Sequence, residues 1–134
     1  MIKVVFDTNI FISGIFFGGK SREGLELPRT GKFKLFSSKE IINELKDVLS
    51  KRFDISDHDI DKIIKNIKKY TVLIDSPSKV DIVRDPKDNK ILDCAIASMS
   101  RYLVTGDNDL LVIRKHKQIE IMTINDFLEK KPWS

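Results

Sequence analysis

The sequence predicts an α/β fold, a three-layer α/β/α sandwich built on a mostly parallel sheet of about five strands. Three observations carry that expectation. Short apolar, β-branched runs alternate with stretches of helical periodicity. The runs are apolar on consecutive residues, as strands covered on both faces are. Two of them, "VVFD" and "LVTGD", end in an aspartate, and in parallel α/β sheets functional groups gather outside the carboxyl ends of the strands.

In chain order, residues 2–6, "IKVVF", read as a buried strand delivering Asp7 at its end. Residues 13–21, "SGIFFGGKS", read as a loop because Gly18 and Gly19 break regularity, and residues 22–31 as a weak helix interrupted by Pro28. "FKLFSS" forms a second strand running into a helix over 38–51, whose stripe is Ile41, Leu45, Val48 and Leu49. Ser37 with Glu40 three residues later has capping-box spacing. A helix over 57–69 follows, with Ile60, Ile63, Ile64 and Ile67 at helical spacing, then the strand "TVLI" and a connector with two prolines. A helix over 86–100, the strand "YLVTGD", a short helix over 108–116, the strand "IEIMT" and a closing helix "INDFLEKK" complete the pattern. No repeat or low-complexity segment is visible.

A chain of 134 residues with 41% hydrophobic and 33% charged residues fits a single domain, 1–134, large enough to bury a core without disulfides. Cys94 stands alone in an apolar helical pattern and is expected to be a small buried side chain. The apolar N-terminus is broken by Lys3, Asp7 and Asn9 within its first ten residues, so it is neither signal peptide nor spanning helix. The expectation is a soluble, cytoplasmic protein with no membrane partner. A net charge of +4 leans toward an anionic partner without identifying one.

Against that basic balance, "RDPKDNKILDCAIA" over residues 84–97 concentrates three aspartates. At about 100° per residue, Leu92, Ala95 and Met99 fall within roughly 40° of Asp88, which places Asp88 on the core-facing stripe. Asp93 falls about 140° away on the same projection, as a solvated flanking acid would. Asp85 before Pro86 fits an N-cap. On the other long helix Glu44 sits beside the stripe in the same way. Asp7, Glu44, Asp88 and Asp107 thus come from two strand ends and two helices that can converge on one sheet edge. Converging carboxylates raise one another's pKa unless a cation sits among them. Oxygen ligands without a Cys or His cluster favour Mg²⁺ or Mn²⁺ over zinc, and His58 and His116 lie in polar surroundings as surface residues.

"FDTNIFISG", Glu44 within "SSKEIINEL", "DPKDNKILDCA" and "LVTGDNDLL" together resemble the PIN-domain nucleases, in particular the small prokaryotic toxins of toxin–antitoxin pairs (VapC-like). The resemblance runs from Ile2 to about Phe127. It implies a PIN-like, Rossmann-like sandwich in which Asp7, Glu44, Asp88 and Asp107 bind the metal. It implies further that Thr8 and Asn9 are a strand-end polar pair with Asn9 orienting Asp7, that Thr105 lines the pocket, and that Asp93 is an additional acid. Asp109 either substitutes for Asp107 or begins the next helix. The implied reaction is Mg²⁺- or Mn²⁺-dependent hydrolysis of RNA phosphodiesters, with a cognate antitoxin and a homodimer as partners. Lys3, Lys20, Arg22, Lys87 and Lys90 are candidates for a phosphate-facing rim.

Two other classes compete. A phosphotransferase of the haloacid dehalogenase type requires a second Asp two residues after the first, where Asn9 stands. A non-catalytic module of the same fold, holding RNA or an antitoxin without cutting, is distinguished by the absence of metal-induced stabilisation.

Overall fold

A computed structural model describes residues 1–76 and 86–134, and of Pro86, Lys87 and Asp88 the helical backbone alone. Asp85 and most of the 76–86 connector therefore lie outside the described residues. The chain runs through β1 (Lys3–Phe6), α1 (Thr8–Phe16), α2 (Gly19–Arg29), β2 (Lys34–Ser38), α3 (Lys39–Lys51) and α4 (Asp57–Lys68). It continues with β3 (Thr71–Ile74), α5 (Pro86–Ala97), β4 (Tyr102–Val104), α6 (Asn108–Leu111), β5 (Lys115–His116), β6 (Ile119–Met122) and α7 (Ile124–Lys130).

Among the described residues the strands form one six-stranded sheet in the order β3-β2-β1-β4-β6-β5. Every pairing is parallel except that of the edge strand β5 with β6. Strand periodicity of two divides the side chains between two cores. Val4, Phe6, Leu35, Tyr102 and Val104 face one core with Ile10, Phe11, Leu25, Leu45, Ile64 and Phe127. Val5, Phe36 and Leu103 face the other with Ile91, Leu92, Ala95 and Leu110. Helices α1, α2, α4 and α7 therefore cover one face and α5 and α6 the other. Helix α3 packs Ile42, Leu45 and Leu49 into the first core and Ile41 into the second. The three-layer α/β/α expectation holds.

The first core is largely aromatic. Phe6 meets Phe11, Phe33 and Phe127 edge-on at centroid distances of 6.2, 6.0 and 6.3 Å. That geometry suits the ring quadrupoles and fixes β1 beneath α7.

The two halves of the sheet meet between β1 and β4. The chain steps outward from β1 to β2 to β3, and α5 then carries it back to β4 on the other side of β1. The carboxyl ends of β1 and β4 thus bound the crevice at which open α/β sheets bind ligands. Asp7 follows β1, and Thr105, Gly106 and Asp107 follow β4.

Several local expectations are corrected. Residues 13–21 are not a loop: α1 runs to Phe16, its first turn capped by the Asp7 side chain, which accepts the Thr8 N–H. Helix α2 begins at Gly19 and carries Pro28 one residue before its end at Arg29. Ser38 rather than Ser37 caps α3, its hydroxyl accepting the Ile41 N–H at 3.2 Å, so no Ser37–Glu40 box forms. Helix α5 ends at Ala97. Met99 adopts φ 58°, its N–H bonds the Ile96 carbonyl and that of Ser100 bonds Ala95, which is a Schellman closure. Met99 is consequently 80% exposed instead of continuing the buried stripe. The sheet has six described strands rather than about five because residues 115–116, expected within a helix, pair with β6.

Cys94 is fully buried, and burial pushes its thiol up to about 12, so it is an unreactive core residue, as expected. His58 is exposed and His116 half-buried. No helix among the described residues is long and apolar enough to cross a membrane.

Truncating Phe127→Ala is expected to cost about 3–5 kcal/mol in urea-induced unfolding, because it empties the centre of the aromatic cluster. A loss below 1 kcal/mol would contradict this account of the core.

Candidate active site

Asp7 stands at the β1–β4 crevice, directly after β1. It is 5% exposed, a costly place for a carboxylate without compensation, and three donors supply it. One oxygen accepts the Thr8 N–H at 2.6 Å. The other accepts Thr105 Oγ1 at 2.7 Å and Asn9 Nδ2 at 3.2 Å.

Each donor is held in turn. Thr105 Oγ1 also accepts the Asp107 N–H at 3.0 Å, and Asn9 Oδ1 accepts the Gly106 N–H at 3.1 Å. A carboxylate only accepts and a backbone N–H only donates, so the Asn9 amide has one possible orientation. Asn9 therefore fastens the start of α1 to the turn after β4, and it orients Asp7.

Glu44, half-buried on α3, accepts Thr8 Oγ1 at 2.9 Å and faces Lys90 Nζ of α5 at 3.5 Å, both on Oε2. Thr8 thus links two acids, its amide to Asp7 and its hydroxyl to Glu44. Asp107 caps α6 by accepting the Asp109 N–H at 2.8 Å. Of that acidic pair Asp107 lines the cavity, and Asp109 contributes the first-turn N–H.

These groups open into one cavity of about 480 Å³. Asp7, Glu44 and Asp107 stand around it with Thr8 and Asn9, and Ile12, Val48, Phe17 and Phe53 form its apolar side, with Arg52 at the rim. Burial raises the Asp7 pKa above the usual carboxylate value. The Thr105 and Thr8 hydrogen bonds oppose that rise, and the charges of Glu44 and Asp107 add to it. The three acids therefore face a single cavity, and the charges of Glu44 and Asp107 bear on the buried Asp7. Among the described residues no three acidic, histidine or cysteine side chains stand grouped so as to hold a metal ion.

Asp88 lies in the first turn of α5, and its side chain falls outside the described residues. Asp93 is buried at 8% exposure, which corrects the expectation of a solvated acid. Thr105 is fully buried and serves Asp7 through its hydroxyl, while bordering a smaller adjoining cleft of about 280 Å³.

The expected basic rim is largely rearranged. Lys3 stands at the amino end of β1, away from Asp7, with its ammonium 5.5 Å from the Phe36 ring. The Arg22 guanidinium is taken up by the carbonyls of Gly14 and Ile15. Lys20 is exposed on α2, and the Lys87 side chain is outside the described residues. Lys90 does reach the site, through Glu44.

Sequence reasoning missed Arg52, Phe53, Phe17, Ile12, Ser13 and Val48. A signal for most of them existed. Glu44, Val48 and Arg52 are spaced by four along α3 and its cap, and Asn9, Ser13 and Phe17 by four along α1 and its cap, so each series lies on one helical face. Without α1 the second series was invisible.

The sequence model of the PIN domain matches residues 3–109. An uncharacterized protein of Methanocaldococcus jannaschii is 31% identical over 130 residues, covering 92% of this chain and 83% of its own length. A solved chain of VapBC2 from Rickettsia felis, crystallised bound to a DNA fragment from its promoter, superposes with a TM-score of 0.64 at 19% identity. That match covers 90% of this chain and 97% of the solved one.

Asp107→Asn keeps an N-cap side chain but removes one like charge facing Asp7. Because the repulsion exists only while Asp7 is ionised, the metal-free variant is expected to be more stable than the parent at neutral pH, by on the order of 1 kcal/mol or less. The advantage is present above the raised Asp7 pKa and disappears as pH falls through it. Chemical denaturation in chelator at pH 7.5 and pH 3.5 measures it, and equal stability at both pH values would show that the two acids do not interact.

Proposed function

The chain belongs to the PIN domain family of nucleases, and from that premise we propose that it is a single-domain Mg²⁺- or Mn²⁺-dependent endoribonuclease, the toxin of a toxin–antitoxin pair. The observation that carries this reading is a buried Asp7 with a raised pKa, facing Glu44 and Asp107 across one cavity at the sheet's switch point. A pocket that accumulates negative charge at the cost of stability needs a cation to justify it.

In this proposal Asp7, Glu44, Asp107 and Asp88 would hold the ion. Bound among them, it would activate a water and offset charge on the scissile phosphate. The protein's own part is orientation. Thr105, Asn9 and the Thr8 amide keep the Asp7 oxygens aimed, and Thr8 Oγ1 keeps Glu44 beside it. Ile12, Val48 and Phe53 give one wall an apolar surface, beside which electrostatic interactions are stronger than in bulk water. Arg52 offers the rim charge that meets the phosphate backbone, so binding would weaken with salt. The VapBC2 likeness supports an antitoxin partner, and a homodimer is proposed with it.

Asp7→Asn and Asp88→Asn are each expected to reduce Mn²⁺-stimulated cleavage of structured RNAs to the level seen in chelator while circular dichroism remains native. Full activity in either variant would overturn the proposal. Millimolar Mn²⁺ is also expected to raise the melting temperature of the parent, since a ligand that binds only the native state stabilises it by about 2.7 kcal/mol at a hundredfold excess over Kd. No shift would favour the non-catalytic module instead.

Lys90 gives an independent check. Its ammonium stands 3.5 Å from Glu44 Oε2, and a divalent ion held by Glu44 must share or displace it. Lys90→Met is expected to tighten Mn²⁺ binding severalfold by calorimetry, and weaker binding would count against Glu44 as a ligand.

A further inference from the structure

Seven of the eight phenylalanines are buried or half-buried, and Phe17 is 73% exposed. An isolated surface phenylalanine requires no explanation, but this one borders the cavity of Asp7, Glu44 and Asp107. Its backbone is fixed at the end of α1. Phe17 closes α1 by donating its N–H to the Ser13 carbonyl, and the chain turns away immediately through Gly18 at φ 73° and ψ −134°, a conformation L side chains rarely adopt. Beside it Phe53 is fixed by stacking on Phe16, with ring centroids 4.4 Å apart and planes 1° from parallel.

The cavity is therefore two-sided: carboxylates on one side, an aromatic and aliphatic wall on the other, and Arg52 at the rim. A nucleotide has the same division, a charged phosphodiester joined to a flat apolar-faced base, and a volume of about 480 Å³ accommodates it. A protein segment could cover the aromatic wall and meet the acids with Lys or Arg, but only a nucleotide would bring a phosphate to Arg52 and a flat base to the aromatic wall together. A paired base cannot present its face, because its neighbours in the duplex cover it.

Building on the ribonuclease reading, we propose that Phe17 is a stacking platform for one unpaired base flanking the scissile phosphate. Selection for single-stranded RNA is then a property of the cavity itself. Aromatic stacking of this kind accepts any base face and selects strandedness more than sequence. Residues 13–21 set specificity through Phe17.

The test compares the parent, Phe17→Ala and Phe17→Trp on one unstructured RNA, alone and annealed to its complement. The parent in Mn²⁺ is expected to cut the single strand preferentially. Phe17→Ala is expected to lose about tenfold in kcat/KM through KM, with kcat and the Mn²⁺-induced shift in melting temperature unchanged, and Phe17→Trp to retain the parent's values. Replacing the flanking nucleotide by an abasic one should erase the difference between the parent and Phe17→Ala. In chelator, a 2-aminopurine at that position should be quenched by the parent and not by Phe17→Ala.

A parent that cuts RNA while Phe17→Ala cuts it equally well overturns the stacking role alone; such a result would point to a protein partner as the occupant of the aromatic wall. A parent that cuts both forms of the RNA equally overturns it as well. A parent that cuts no RNA in Mn²⁺ overturns the nuclease reading and this proposal with it.

Discussion

The hydrogen bond from Thr105 Oγ1 to Asp7 Oδ2, 2.7 Å long and spanning 98 residues of sequence, is the contact on which the site depends. It exists because β1 and β4 pair in parallel, with Phe6 opposite Val104, so the next residues of both strands emerge side by side. The same hydroxyl receives the Asp107 amide. One buried threonine therefore fixes the position of an acid on each strand end, and Asn9 repeats the connection from the other side. A buried carboxylate left without these donors would be protonated or would unfold its surroundings.

The rest of the fold makes this arrangement rigid. The aromatic cluster under β1 holds the strand against α7, while α5 crosses the opposite face on a stripe of Ile91, Leu92 and Ala95. Helix α3, packed into both cores, carries Glu44, Val48 and Arg52 on one edge and so contributes acid, apolar wall and cation to a single cavity. Helices α1 and α3 with their caps supply both polar and apolar parts of that cavity, and the turn after β4 adds Asp107, which is why a charged side and an aromatic side lie within reach of one another.

The strands other than β5 and the stripes of α3, α4 and α5 were legible in the sequence because each is a periodic signal that its burial satisfies: Leu45, Ile64 and Leu92 are all buried. Helix α1 was not. "TNIFISGIF" is rich in β-branched residues and phenylalanine, which favour strands when judged locally. It folds as a helix because Asp7 caps it and because Gly14 lets α2 approach closely; a Cβ there would stand 2.5 Å from a Leu25 methyl and 3.2 Å from the Ser21 backbone. Losing α1 concealed Ser13 and Phe17 as residues facing the acids. The burial of Asp93 was equally hidden, since helical projection measures the angle from a chosen stripe and knows nothing of neighbouring elements.

The sequence by itself determined the alternation of strands and helices, the family, and the identity of the acids at the ends of β1 and β4, because these follow from short-range periodicity and local motifs. The tertiary structure decided which donors make the burial of Asp7 tolerable, that Lys90 rather than Lys3 reaches an acid, and that Arg52, Phe53 and Phe17 share the cavity with Asp7. Those relations join residues far apart in the chain. They are set by strand order and by the close packing of α1 on α2, and no window of sequence contains either.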